Sequence, residues 1–331
     1  MDNKNTISII IPNYNGQKLL ATYLPFTFAA IESAGVAFEI IVVDDASTDD
    51  SVDFIKQNYP QVKLLVNAKN SGFSYTCNQG IAVAQHELIL LLNSDVKLTP
   101  GYFEHQFRYF EANDTFGVMG RIIDMDGDKI QDAARMPKFN GLKLKTDYFY
   151  YTDDSNDNLY TLYLSGANAL IDAAKLKSIG GFDEIFSPFY SEDMELSLRA
   201  WRMGWKCYYE HQSVCRHQVS ASTKNYKTAN WVKRVYNRNR FFVHAIHLDG
   251  FAFVLWFLQI SLIDMLPKLL TGQFWIWKSY IEFLKKLDAV RASRARLKVL
   301  MQQNKSTLSI FDVTDNIKES ISGKNITRFD T

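Results

Sequence analysis

Carboxylates cluster at three places where this chain changes course. The apolar run Ile40–Val43 ends in Asp44-Asp45, Leu88–Leu92 leads through Asn93-Ser94 to Asp95, and Ser191 precedes Glu192, Asp193 and Glu195. A buried strand seldom ends in two Asp unless they cap something or bind something, so Asp44 and Asp45 read as caps for the next helix or as ligands. Asp95 should point into the same crevice as Asp45. A carboxylate there suits a hard divalent cation, Mn²⁺ or Mg²⁺, carried on a diphosphate. The alternative is a turn residue ahead of Thr99-Pro100. Glu192 and Asp193 read by spacing alone equally as partners of a helix dipole and as active-site acids. His217 follows the strand-like WKCYYEH and Val214. It is either a structural histidine or, beside a carboxylate-bound cation, a ligand that would favour Mn²⁺. No G-x-G-x-x-G, G-x-x-x-x-G-K-[ST] or H-E-x-x-H is present, so the usual dehydrogenase and P-loop signatures are missing.

Positioning these groups requires strands that end together. Ile7–Pro12, Glu39–Asp44, Val62–Val66 and Leu88–Leu92 are short, apolar and rich in β-branched residues or leucine, and helical stretches of 10 to 20 residues separate them. That alternation predicts an α/β fold with a mostly parallel sheet. In such sheets ligands sit beyond the strand C-termini, where the polar clusters 12–15, 44–49 and 93–95 all fall. From about residue 115 the pattern turns α+β. Phe116–Ile123 reads as a strand, 124–158 as a polar, turn-rich stretch, and 159–171 as strands around Ser165-Gly166. Ser191 reads as the N-cap of a helix that stops at Gly204.

The chain has 331 residues, 47% hydrophobic and 22% charged, with 16 Gly and 7 Pro, which excludes disordered and collagen-like classes. Its net charge of +1 makes it no generic polyanion binder, and no nucleic-acid partner is expected. The average hides a split, because residues 224–305 hold 15 Lys/Arg and 4 Asp/Glu. A basic, aromatic C-terminal section on an acidic body points to an anionic surface as its partner. Three cysteines without a C-x-x-C pair fit a reducing compartment, and the N-terminus lacks a signal-like basic and apolar pattern. Residues 250–263 form an uncharged run of 14, too short to span a bilayer, and so read as an interfacial or buried helix. Residues 273–303 read as one basic helix led by Trp275 and Trp277. The expected division is a catalytic domain over 1–222, a basic helical region over 223–303 that meets a membrane surface or a second copy in a homodimer, and a disordered polar tail over 304–331. The expected location is cytoplasmic, at the inner membrane face.

In order, IPNYNG, VVDDASTD, KNSGFSYTCNQG, LLNSDV, SGANALI, GGFDEIFSPFYSEDMELSLRAWRMGW and RHQVSAS resemble the family 2 glycosyltransferases of GT-A fold, most of all the branch with rhamnosyltransferases of bacterial surface polysaccharides. The resemblance covers roughly residues 6–222. It implies a Rossmann-like αβα sandwich and inverting transfer from a UDP- or dTDP-sugar, with rhamnose the branch's sugar, to a glycan or lipid-linked acceptor. It further implies that Pro12, Tyr14 and Asp45 hold the nucleoside, with Asp45 on the base, that Gly72 lies by the base or ribose, and that Ser94 belongs to the donor site. Asp95 matches the last acid of the D-x-D motif and would bind metal, His217 would complete that shell, and Asp193 matches the general base. Asn93 departs from the Asp of many members, which leaves one carboxylate fewer at the site. A sugar-1-phosphate nucleotidyltransferase is the competing enzyme class, although the first loop lacks that class's Gly-rich, Arg- and Lys-bearing pattern. A nucleotide-binding module without turnover is the third reading.

Overall fold

The computed structural model describes residues 5–218 and 228–330. The expected alternation opens it: β1 (Ile7–Asn13), α1 (Gln17–Ser33), β2 (Phe38–Asp44), α2 (Ser51–Asn58), β3 (Lys63–Val66), α3 (Phe73–Val83) and β4 (Leu88–Leu92). β1, β2 and β4 are buried on both faces, which is why their sequences are apolar without alternation. β1 pairs in parallel with β2 and with β4. The chain therefore winds outward to β3 and returns across β1. The direction of winding switches between β1 and β4, where such sheets hold their ligands.

The remainder of the sheet is mixed. β5 (Val96–Leu98), β6 (Thr115–Ile123) and β7 (Ile130–Asp132) precede β8 (Ala134–Asn140), β9 (Lys143–Tyr151), β10 (Leu159–Tyr160) and β11 (Asn168–Asp172). α4 (Ala173–Ser178), α5 (Glu192–Arg202) and β12 (Lys206–His217) follow. The large sheet runs β10-β12-β6-β11-β4-β1-β2-β3, with β5 beside β12 and β7 beside β6. Antiparallel β11 links β4 to β6, which brings the end of β12 round toward the ends of β1 and β4. β8 and β9 leave this sheet to form a smaller one with β13 (Thr327–Phe329). The stretch 124–158, expected to be turn-rich, thus contains a long hairpin. Asn140 pairs with Lys143, so its tip is Gly141-Leu142, with Gly141 at φ +59°, the positive φ that favours glycine at the first position of a two-residue hairpin loop.

The C-terminal region is helical: α6 (Ala229–His247), α7 (Gly250–Leu258), a π-helical stretch Gln259–Met265, α8 (Leu266–Leu270), α9 (Phe274–Lys285), α10 (Leu287–Gln303) and α11 (Ile310–Glu319). It shares one core with the preceding α/β fold, in which Phe242, Trp256 and Phe283 are buried with Leu198 and Trp201 of α5. Three expectations are corrected. The single helix over 273–303 breaks at Lys286. The tail expected to be disordered forms α11 and β13, because Ile310, Val313 and Ile317 make an apolar face that overall polarity conceals, and Ser309 and Asp312 form a reciprocal cap. The apolar run does not end at Asp264. Lys143 neutralises that carboxylate at 2.8 Å, and the helix continues to Leu270. The resulting 21 residues are long and apolar enough, by length and composition, to cross a membrane. One face, with Trp256, Ile260 and Met265, packs on the protein, while Phe251, Leu258, Leu262, Leu266 and Leu270 are exposed. The 222/223 boundary, with Ser220 and Ser222, lies outside the described residues.

Candidate active site

The strand ends meet around one cavity of about 350 Å³. Pro12–Asn15 after β1, Asp45 after β2, Asn93 and Ser94 after β4, Ser165–Ala167 before β11, Pro188–Tyr190, Glu192 and Asp193 at the head of α5, and His217 at the end of β12 all contribute to its wall. Of the residues singled out in the sequence, Pro12, Tyr14, Asp45, Ser94, Asp193 and His217 line it. Gly72 and Asp95 stand behind the wall. Asp95 is buried, with an oxygen 3.4 Å from His217 Nε2.

The paired aspartates after β2 divide their work. Asp44 accepts from Asn13 Nδ2 at 2.8 Å and from the Ser47 N–H at 2.8 Å, so it pins the loop after β2 and does not cap α2, whose N-cap position is Asp50. Asp45 accepts from the N–H groups of Ser71 (3.0 Å) and Gly72 (2.8 Å) and from Asn67 Nδ2 (2.8 Å). It therefore fixes the loop before α3 while facing the cavity. Gly72 sits at φ +89°, and a Cβ there would come within 2.8 Å of Pro188 Cα, so the contact of this loop with 187–188 requires glycine. The Phe73 N–H donates to the Pro188 carbonyl at 2.9 Å, and Ser187 Oγ to the Ser71 carbonyl at 3.0 Å.

Asp193 is presented by a strained entry into α5. Tyr190 and Ser191 have φ of +77° and +68°, a region disfavoured for residues other than glycine. Ser191 makes no side-chain cap, contrary to expectation, because a capping residue needs extended backbone and this one is left-handed. The strain is held from α6. Asn239 Nδ2, fully buried, lies 2.6, 2.9 and 2.8 Å from the carbonyls of Phe186, Phe189 and Tyr190, and Arg238 donates to the Ser187 carbonyl at 2.6 Å.

Burial, reinforced by the Asp193 carboxylate, pushes Glu192 up to about 8. Burial also raises Asp193, but Arg135 and nearby backbone N–H groups, including those of Met194 and Gly166, oppose that rise by favouring its charged form. Near neutral pH the Glu192 carboxyl therefore holds its proton. Arg135 is itself buried. It pairs with Asp132, donates to the Tyr163 carbonyl at 2.9 Å and lies 4.0 Å over the Tyr163 ring. Arg135 and Asn239 were missed from the sequence. Their only signals were a charged residue inside a β-pattern and a polar residue among the apolar positions of a helix.

Among the described residues no three His, Cys, Asp or Glu side chains converge as a metal site. Asp95 and His217 offer one carboxylate and one imidazole, a mixed set that fits Mn²⁺ when diphosphate oxygens and water complete the shell.

The model of the family described as Glycosyl transferase family 2 matches residues 8–180. Among curated proteins, the chain is 36% identical over 107 residues to the uncharacterised glycosyltransferase YibD of Escherichia coli (strain K12), covering 31% of this chain and 30% of the relative. It is 26% identical over 208 residues to the N-acetylglucosaminyl-diphospho-decaprenol L-rhamnosyltransferase of Mycobacterium tuberculosis, covering 56% of this chain and 67% of the relative. The matches thus span less than half the length of the first of these relatives. Among solved structures, GalNAc-T7 with UDP, GalNAc and Mn²⁺ aligns over 80% of this chain and 54% of its own at TM-score 0.58 and 15% identity. TarS 1–349 of S. aureus with UDP-GlcNAc aligns over 91% and 92% at TM-score 0.53 and 15% identity. The fold is GT-A, the family match covers more than half of the 331 residues, and the chain belongs to glycosyl transferase family 2.

Proposed function

We propose that the protein transfers a sugar from a UDP- or dTDP-sugar, with dTDP-rhamnose the first candidate, to a hydroxyl of a glycan or lipid-linked acceptor, with inversion at the anomeric carbon. The observation that carries this reading is the single cavity in which Asp193 shares a wall with the ends of β1, β2 and β4. Pro12, Tyr14 and Asp45 hold the nucleoside, Gly72 shapes the loop beside it, and Ser94 contacts the donor. Asp95 and His217 would hold Mn²⁺ or Mg²⁺, which supplies Lewis-acid stabilisation of the charge on the departing diphosphate. Asp193 takes the proton of the acceptor hydroxyl as its oxygen bonds to the anomeric carbon and the carbon–diphosphate bond breaks. The N–H groups that oppose its protonation also orient its carboxylate. Glu192, neutral, offers a hydrogen-bond donor without adding a second charge. One base and no protein nucleophile give inversion.

The helices beyond residue 222 share the core of the preceding fold and carry the surface that rests on the cytoplasmic face of a membrane. The exposed stripe from Phe251 to Leu270, next to a strongly basic section, supports an anionic lipid surface as its neighbour. Three buried free cysteines agree with a reducing compartment. The test is incubation with a panel of sugar nucleotides, Mn²⁺ and membrane lipid extract. Transfer to a lipid-extractable product with inverted anomeric configuration is expected. Pyrophosphate-dependent release of NTP would instead identify a nucleotidyltransferase, and nucleotide binding without turnover a binding module.

A further inference from the structure

A second cavity, of about 310 Å³, shares Pro188 with the catalytic one. Arg234 and Arg238 line it from α6, and Glu282, Lys285 and Lys286 from the end of α9. Arg234 and Arg238 lie four residues apart and so project from one face of α6. Glu282 is the one carboxylate in this wall and is already paired with Arg234 at 3.2 Å. Four cations therefore face one carboxylate. The C-terminal dipole of α9 explains a cation at Lys285 but not a guanidinium contributed from a different helix.

We propose that this groove binds the phosphate or diphosphate ester of a lipid-linked acceptor. The inference rests on the glycosyl-transfer reading and names the acceptor's chemistry. Arg238 spends Nε and Nη2 on Asn239 Oδ1 and the Ser187 carbonyl, and Arg234 Nε faces Glu282, so the other guanidinium N–H groups donate to phosphate oxygens while the lysines add charge without demanding one geometry. Pro188, the lining residue common to both cavities, belongs to the loop that leads into Asp193. A sugar joined to lipid through a diphosphate carries its phosphate one sugar ring from the reacting hydroxyl, so one molecule can reach both cavities around Pro188. The exposed apolar stripe of the neighbouring helices suits the lipid end. Arg238 also donates to the Ser187 carbonyl, so occupation of the groove bears on the loop that presents the base.

Calorimetry on the full chain in EDTA tests this, with farnesyl diphosphate, inorganic pyrophosphate, farnesol and phosphatidylglycerol vesicles as probes. Lys285 and Lys286 are exposed, so the double variant K285Q/K286Q should fold normally. Farnesyl diphosphate should bind the wild type and ignore saturating UDP, and the double variant should bind it at least tenfold more weakly. R234Q should weaken it similarly, farnesol should not bind, and UDP affinity measured separately with Mn²⁺ should be unchanged in both variants. Equal farnesyl diphosphate affinity in wild type and K285Q/K286Q would overturn the proposal. So would a pyrophosphate affinity equal to that of farnesyl diphosphate, which would mean a free-anion site. Vesicle binding lost in the double variant, with no response to either diphosphate, would mean a headgroup site and would also overturn it. Failure of the wild type to bind any nucleotide would count against glycosyl transfer, while the farnesyl diphosphate result would still decide the groove.

Discussion

Asp193 and Asp95 act on opposite partners in the proposed reaction, so their variants should separate. Asp193→Asn removes a base that touches only the acceptor step. It should lower kcat by about 10²- to 10⁴-fold and leave nucleotide affinity nearly intact. Asp95→Ala should weaken Mn²⁺-dependent UDP or dTDP binding. Calorimetry with both nucleotides decides the matter, and equal losses in the two variants would contradict the assignment. Glu192 makes a pH prediction. Its raised value means that the folded protein holds a proton which the unfolded chain releases between about 4.5 and about 8. Stability should fall as pH rises through that window, and kcat/KM should decline above about pH 8. Glu192→Gln, neutral throughout, should flatten both profiles while keeping activity within about tenfold if the neutral acid is the working form. An unchanged alkaline limb in that variant would clear Glu192 of the titration. At this scale the sequence was legible where a polar residue follows an apolar strand, as at Asp45 and Ser94, both of which line the cavity. It was opaque where a side chain arrives from a distant element. Nothing local to Arg135 announces that folding will bring it close enough to favour the charge on Asp193.

Among the elements, α6 has the most consequential attachment to the site. Its Asn239 takes up three carbonyls of a loop with two left-handed residues before the base. Asn239→Ala leaves those buried groups without their donor, a loss of about 1–3 kcal/mol, and lets the entry to α5 relax. The expected result is a lowered melting temperature, and a lowered kcat with UDP affinity preserved. A change in stability alone would make Asn239 merely structural. β1, β2 and β4 were legible because doubly buried parallel strands are apolar throughout. The β8–β9 hairpin was not, because Lys138, Lys143 and Lys145 interrupt it and read as solvated loop. α11 was hidden for the related reason that an amphipathic helix with one narrow apolar face has a polar average composition.

For the whole molecule, the helix from Gly250 to Leu270 carries the proposed membrane contact. If its exposed stripe rests on anionic lipid, the protein should sediment with phosphatidylglycerol vesicles at low salt and release at high salt, since each Lys or Arg near the surface adds only about 1 kcal/mol and is screened. Leu262→Asp with Leu266→Asp, both at exposed positions, should abolish sedimentation without unfolding the protein. A wild type that ignores vesicles but runs as a dimer, converted to monomer by the same changes, would make the stripe a subunit seam.

The small sheet also ties function to the order of synthesis. β13 completes it by pairing Thr327–Phe329 with Phe149–Tyr151, and its partner hairpin carries Arg135 beside the base. β1, β2 and β4, whose ends line the cavity, emerge from the ribosome early, whereas β13 begins 176 residues after Tyr151, the end of the hairpin it joins. A nascent chain should therefore acquire nucleotide affinity well before it can turn over. Ribosome-stalled chains released at successive lengths would show UDP binding first and sugar transfer only after Phe329 has cleared the exit tunnel.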